Sequence, residues 1–165
     1  MAGVERISSL GQPAYAYNWE VEIRSDYISD VDGVKFRARS SSLPDDVTQV
    51  IEIPYRAWTV YYPGRDGSAH TIDLSFWDTE DLVVYKSLSE WRKAIQDAWE
   101  GTQSPKDEII GTVELRLLGV DDSVIGTYTL IDAWPENLQP VTLDYTSNDA
   151  LTITVTFRYD YCKKE

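Results

Sequence analysis

Between Leu151 and Tyr161 the chain reads LTITVTFRYDY, and its side chains alternate from end to end. Leu151, Ile153, Val155, Phe157, Tyr159 and Tyr161 are apolar or aromatic, while Thr152, Thr154, Thr156, Arg158 and Asp160 are polar. A period of two is the period of a β-strand, so the stretch predicts a strand with one dry face and one wet face. A slip of one residue would turn Phe157 and its fellows into water. Burying each large side chain is worth about 1.5–3 kcal/mol, which fixes the register and obliges the rest of the chain to supply an apolar layer. The wet face is a row of threonines, and two readings of it stand: a sheet side turned to bulk solvent, or the lining of a water-filled passage.

The chain ahead of this strand supplies the layer. After a polar arm over residues 1–14, Tyr15, Tyr17, Trp19, Val21 and Ile23 alternate with Ala16, Asn18, Glu20, Glu22 and Arg24, a first strand. Val34, Phe36, Ala38 and Ser40 alternating with Lys35, Arg37 and Arg39 predict a second strand whose wet face is wholly cationic. Such a stripe either protects an open sheet edge or complements an acidic neighbour.

Residues 40–67 change character. Ile51, Ile53, Tyr55, Trp58, Val60, Tyr61 and Tyr62 crowd together, yet Pro44, Pro54 and Pro63 argue against a central strand, because each removes a ladder donor. A long hairpin arm leaving the body fits the pattern. Its apolar surface must fold back on the chain's own core or be covered by another chain.

His70 opens a strand with Ile72, Leu74 and Phe76 on one face. Asp78 or Thr79 then caps a helix over 79–100, where Val84, Leu88, Trp91, Ile95, Ala98 and Trp99 recur at steps of three and four and Gly101 ends the run. Strands follow around Val113–Leu117 and over Val124–Asp132, the latter with so little alternation that it reads as covered on both sides. Trp134-Pro135 marks a corner that breaks the strand, and Ser147, Asn148 and Asp149 form a turn before Leu151. The sum is one mainly β domain over 1–165: a β-sandwich or partly open barrel of about seven strands capped by one α-helix.

Composition narrows the function. A net charge of −13, from 28 acidic against 15 basic residues, gives phosphate little to hold and argues against tight nucleic-acid binding, while an acidic wall would let a polyanion pass without gripping it. The only cysteine, Cys162, has no internal partner, and the N-terminus carries no secretory pattern, which together predict a cytoplasmic origin. No stretch is apolar enough over sufficient length to cross a bilayer as a helix. There is no phosphate loop, nucleophile elbow or metal-ligand spacing, and the only histidine lies on a strand far from the cysteine. Neither catalytic residues nor a cofactor or metal site are predicted. Surface tryptophans and tyrosines that stack on sugar rings would make a carbohydrate-binding module the alternative from another class.

The order of landmarks resembles that of the tail tube proteins of contractile-tailed bacteriophages, whose fold is shared with type VI secretion tube proteins. The landmarks are Ser42-Leu43-Pro44, an Ile/Tyr-rich arm, Gly64-Arg65 before a strand, and a helix carrying Trp91. After these come Trp134-Pro135 with Asn137, Leu143-Asp144-Tyr145, Ser147-Asn148-Asp149 and a closing Tyr159-Asp160-Tyr161. The likeness spans Trp19 to Tyr161. It departs at the tail, Cys162 to Glu165, and at the loop Gly64 to Ser68.

The resemblance implies a non-enzymatic virion subunit that assembles itself into stacked hexameric rings around a channel conducting DNA. Its partners would be copies of itself, the tail sheath, the baseplate and tube-terminator proteins, with DNA passing unbound and no insertion of the subunit into membrane. Assembly would take place in the host bacterial cytoplasm. Leu43, Pro44, Ile51, Ile53, Tyr55, Trp58 and Tyr62 would then touch neighbouring subunits, Lys35, Arg37 and Arg39 would meet acids across a subunit boundary, and Thr152, Thr154 and Thr156 would line the lumen. A tube-initiator ring at the baseplate junction, or the inner tube of a contractile injection system, would fit the same landmarks.

Overall fold

The computed structural model describes residues 2–165; Met1, part of the expected 1–14 arm, lies outside them. Helix α1 (Ala2–Ser8) opens the chain and leads through an exposed segment to β1 (Trp19–Arg24). Then come α2 (Val31–Phe36), β2 (Ala38–Ser41), β3 (Thr48–Tyr55), β4 (Trp58–Asp66), β5 (Thr71–Trp77) and α3 (Val83–Ile95). Short β6 (Gln96–Asp97) and β7 (Thr102–Gln103) pair with each other, and α4 (Lys106–Ile109) precedes β8 (Gly111–Leu118). The chain ends with β9 (Val124–Leu138), β10 (Thr152–Arg158) and β11 (Tyr161–Lys164).

The main sheet is antiparallel in the order β1-β8-β9-β10-β5-β2, with β11 alongside β9. It does not close into a barrel. A cleft lined by Trp19 and Glu20 of β1 and by Ala38 and Ser40 of β2 separates its two end strands.

The alternation in β10 becomes the core. Ile153, Val155 and Phe157 pair with Phe76, Leu74 and Ile72 of β5, and all of these side chains are buried. On the other side Thr154 Oγ1 meets Ser75 Oγ at 3.1 Å, and Thr156 Oγ1 donates to Asp73 Oδ1 at 2.6 Å. Against the apolar layer lies α3, with Val84, Leu88, Trp91 and Ile95 buried. Trp91 donates its indole N–H to the Ile109 carbonyl at 2.7 Å, which supplies the partner that a buried indole requires. Before the helix, buried Asp78 accepts from the backbone N–H of Tyr85 at 3.0 Å and of Val84 at 3.3 Å, satisfying donors of the first turn.

Several sequence expectations are corrected. Residues 31–36 are helical rather than extended, because Asp30 accepts from Gly33 N at 2.9 Å and caps a turn that buries Val34. The strand expected over Val34–Ser40 therefore shrinks to β2. The main helix runs Val83–Ile95 instead of 79–100; Trp99 falls outside it and is 96% exposed. Among the described residues it is joined by three shorter helical segments.

The strand is not broken at Trp134-Pro135. β9 continues to Leu138 and bends earlier, where Asp132 takes a φ of 57° and the ladder to β8 shifts between Leu130 and Ala133. This bend lets β9 pair with β8 and β11 in its first part and with β10 in its second. Its first part is half-exposed rather than covered on both sides. Tyr161 is likewise on no apolar face: past Arg158 the chain changes partner, Tyr161 pairs with Ile131 and it stays exposed.

Candidate assembly interface

The arm of residues 40–67 forms a hairpin of its own. β3 and β4 pair only with each other, in the register Ile51↔Tyr62, Ile53↔Val60 and Tyr55↔Trp58. A two-residue turn, Arg56-Ala57, joins them, with Arg56 at a φ of 56° and its guanidinium over the Tyr55 ring at 5.4 Å. In a two-stranded ladder each strand keeps a free edge, which is why Pro54 and Pro63 are accommodated. Near the root the ladder shifts by a bulge between Thr48 and Val50. There Gly64 is obligatory, since a Cβ on it would lie 2.9 Å from the Gln49 carbonyl oxygen.

Cross-strand pairing sorts the side chains. Ile51, Ile53, Tyr55, Trp58, Val60 and Tyr62 share one face of the hairpin, and every one of them is about half exposed or more, Trp58 at 76%. This is an apolar sheet face with no cover from its own chain. Leu43, 48% exposed, and half-buried Pro44 lie where the chain enters the arm.

Polar contacts tie down the root. Gly67 N donates to Val47 O at 2.8 Å, Val47 N to Ser68 Oγ at 3.0 Å, and Ala69 N to Asp45 Oδ2 at 3.0 Å. Lys164 of β11 reaches Asp46 at 3.0 Å. His70 sits between arm and body, its Nε2 on Asp66 Oδ2 at 2.9 Å and its ring against Tyr159 at 5.4 Å. The Asp66 contact raises the His70 imidazole above its ordinary value, and hydrogen bonds from Ser68 and then His70 hold the Asp66 carboxyl down at about 2.

Of the three cations of the predicted basic stripe, Lys35 and Arg39 line the cleft between β1 and β2, and Arg37 does not. Lys35, on α2, pairs with Glu20 at 3.0 Å. Arg37, which ends that helix, donates to Gly33 O at 2.8 Å and Thr79 Oγ1 at 3.3 Å. Arg39, on β2, donates to Thr152 Oγ1 at 2.9 Å and lies 3.7 Å from Asp149. Thr152, Thr154 and Thr156 lie together on the outer face of β10, half-buried among these polar partners.

Two features escaped sequence reasoning. Arg116 of β8 is ringed by Glu20 at 2.8 Å, Glu22 at 2.7 Å and Glu114 at 2.6 Å, a network on the wet face of β1 and β8 that depresses the Glu20 and Glu22 carboxyls. Only the even spacing of these charges in their own strands hinted at it. The second is an apolar groove of about 440 Å³ lined by Leu82, Tyr85, Leu138, Val141, Leu143 and Leu151. Its parts come from three separate stretches that no local pattern links. Among the described residues no group of three or more His, Cys, Asp or Glu is placed to hold a metal ion, and no helix is long and apolar enough to cross a membrane.

Comparison with known proteins agrees over nearly the whole chain. The profile of a family described as "Phage tail tube protein" matches residues 10–164. A tail tube protein of Serratia phage KSP90 is 29% identical over 124 residues, which cover 74% of this chain and 70% of that protein. Among solved structures, the tube-terminating cap of the anti-feeding prophage superposes with a TM-score of 0.71 at 19% identity, covering 94% of this chain and 92% of that one. A chain of the sheath-tube complex of an extracellular contractile injection system, PVC, in its extended state, gives a TM-score of 0.67 at 18% identity, covering 97% and 96%.

Proposed function

The chain belongs to the phage tail tube protein family, and from that premise we propose that it is the repeating subunit of a tail tube, closing into hexameric rings that stack around a channel for DNA. The family is structural and not enzymatic. The observation that carries the assembly reading is the arm: an apolar hairpin face of Ile51, Ile53, Tyr55, Trp58, Val60 and Tyr62 that the subunit leaves uncovered. In water such a face calls for a partner. The unclosed sheet supports the same reading, since the free edges of β1 and β2 would find their ladder partners in adjacent copies, as closure of a ring removes edges.

In this reading the row Thr152, Thr154 and Thr156 faces the lumen. Short hydroxyl side chains there, in a protein of net charge −13, would offer DNA no electrostatic hold during passage. Leu43 and Pro44 set the exit of the arm toward the next subunit. Lys35, Arg37 and Arg39 have partners within the subunit, so any role for them between subunits would be secondary to those contacts. The tail sheath, the baseplate and a tube terminator complete the list of partners, with assembly in the host cytoplasm.

A second reading is a ring at one end of the tube, since a tube-terminating cap shares this fold as a chain of a sheath-tube complex does. Negative-stain microscopy of purified protein at rising concentration tests both. Long tubes support the tube-body reading, and isolated rings that never elongate support the terminal ring. Dispersed monomers at every concentration would sink the proposal.

A further inference from the structure

The arm and the apolar groove stand at opposite ends of the same pair of strands. β5 leaves the arm's root at Thr71 and reaches Trp77, and β10 runs back beside it, Thr152 opposite Trp77 and Arg158 opposite Thr71. At the Thr71 end are Asp66, His70 and the departing hairpin; past the Trp77 end lie Leu82, Tyr85 and Leu151 of the groove. Strands of this length separate the two surfaces by about 20 Å.

We propose that the groove is the receptor for the arm of a second copy, so that the apolar face of one hairpin seats between Tyr85 and Leu143 of the next subunit. This rests on the tube reading above and names the surface that receives the arm. The chemistry matches on both sides. Leu143 at 82% and Leu82, Leu138 and Val141 beside it form an apolar trough, and the arm brings Tyr55 at 64% and Trp58 at 76%. The balance of charge matches as well: the hairpin's turn carries Arg56, and exposed Glu80, Asp81 and Asp144 outnumber Lys86 in the stretches of sequence next to Leu82, Tyr85 and Leu143.

The arrangement also fixes the kind of assembly. Two different patches that complement one another make a head-to-tail contact, which leaves one free arm and one free groove after every addition. With the two patches at opposite ends of β5 and β10, such a contact propagates unless the rotation between copies closes a ring. A self-complementary patch would stop at a dimer.

Disulfide trapping tests it, in a Cys162→Ser background. Single variants Tyr55→Cys, Leu143→Cys and Ile7→Cys are mixed in pairs under the conditions in which the parent protein assembles, then mildly oxidised. The Tyr55→Cys and Leu143→Cys mixture should give the heterodimer about tenfold or more above the Ile7→Cys and Leu143→Cys mixture, because a seated thiol is presented at an effective concentration on the order of millimolar. Leu143→Glu, at a site already facing water, should keep the parent's thermal melt and lose elongation. Parent protein that forms tubes while Leu143→Glu elongates equally well, or while Leu143→Cys traps Ile7→Cys instead, overturns the receptor assignment and leaves the tube reading standing. Parent protein that never assembles overturns the tube reading and this assignment with it.

Discussion

Asp66 and His70 close the root of the arm on the body of the subunit, Oδ2 to Nε2 at 2.9 Å, with the imidazole laid against Tyr159. The Asp66 contact raises the His70 pKa, so its contribution is fully present below the ordinary imidazole value of 6.5 and is lost as pH rises through the raised folded value. Asp66 is depressed, so its contribution is present above 3.8 and lost as pH falls toward about 2. The neighbouring charges are Asp45, Asp46 and Lys164, while burial pushes Tyr159 up to about 12 and keeps it neutral in this range. The root is therefore tightest between 3.8 and 6.5. Amide exchange at Val47 and Gly67, corrected for intrinsic rate, should speed up between pH 6 and pH 8–9, and His70→Asn should flatten that dependence. A pH-independent root in the parent protein would refute it.

The Arg116 network predicts a different pH response. Arg116→Gln leaves Glu20, Glu22 and Glu114 close together with only Lys35 and Arg24 beside them. The half-buried setting tempers the loss to about 1–2 kcal/mol near neutrality. Because hydrogen bonds from Arg116 head the causes that hold Glu20 and Glu22 down, their contribution is present above 4.5 and is lost as pH falls through their depressed values. The stability gap between parent and variant should narrow on acidification below 4.5. Urea unfolding at pH 7 and pH 3.5 reads it directly, and a constant gap would count against the assignment.

Trp91 joins α3 to β10, to the segment after β1 and to α4. Fully buried, it packs against Tyr27 at 6.1 Å and Phe157 at 5.7 Å and donates to Ile109 O at 2.7 Å. Trp91→Ala should cost about 3–5 kcal/mol through the cavity it leaves. Trp91→Phe keeps most of the volume but strands the Ile109 carbonyl and should cost about 1–3 kcal/mol. Denaturant titration distinguishes the two: a Trp91→Phe variant as stable as the parent would mean that the hydrogen bond adds nothing, and equal losses would mean that the ring's packing adds nothing beyond it.

The parts of this fold legible in the sequence are those with a local cause. β10 and β5 follow from unbroken alternation, and the buried stripe of α3 follows from steps of three and four. The hairpin's two strands and their apolar content were equally plain. What misled was alternation that happened to run through a capped helical turn, Val34 to Ser40, where Asp30 could bond Gly33 before any strand formed. The bend of β9 depends on one residue at positive φ, Asp132, which no periodicity announces. Arg116 and Glu20 are 96 residues apart, and only the pairing of β1 with β8 brings them together. The groove is non-local in the same way.

The arm separates folding from assembly, which gives the last prediction. Ile53 is 49% exposed and Trp58 76%, and their hairpin pairs with no other part of the sheet. Trp58→Glu or Ile53→Asp therefore removes little from the isolated subunit, within about 0.5–1 kcal/mol at most, the range of a cross-strand pair. Between subunits the same side chains lose water together, and a carboxylate placed there must be desolvated without a partner. Each variant should melt like the parent yet fail to stack, leaving rings or monomers where the parent forms tubes. Circular dichroism and negative-stain microscopy on the same samples make the comparison. If stacking persists in both variants, the hairpin face is not the contact that joins one ring to the next, and the cover for those aromatic side chains must come from within a single ring.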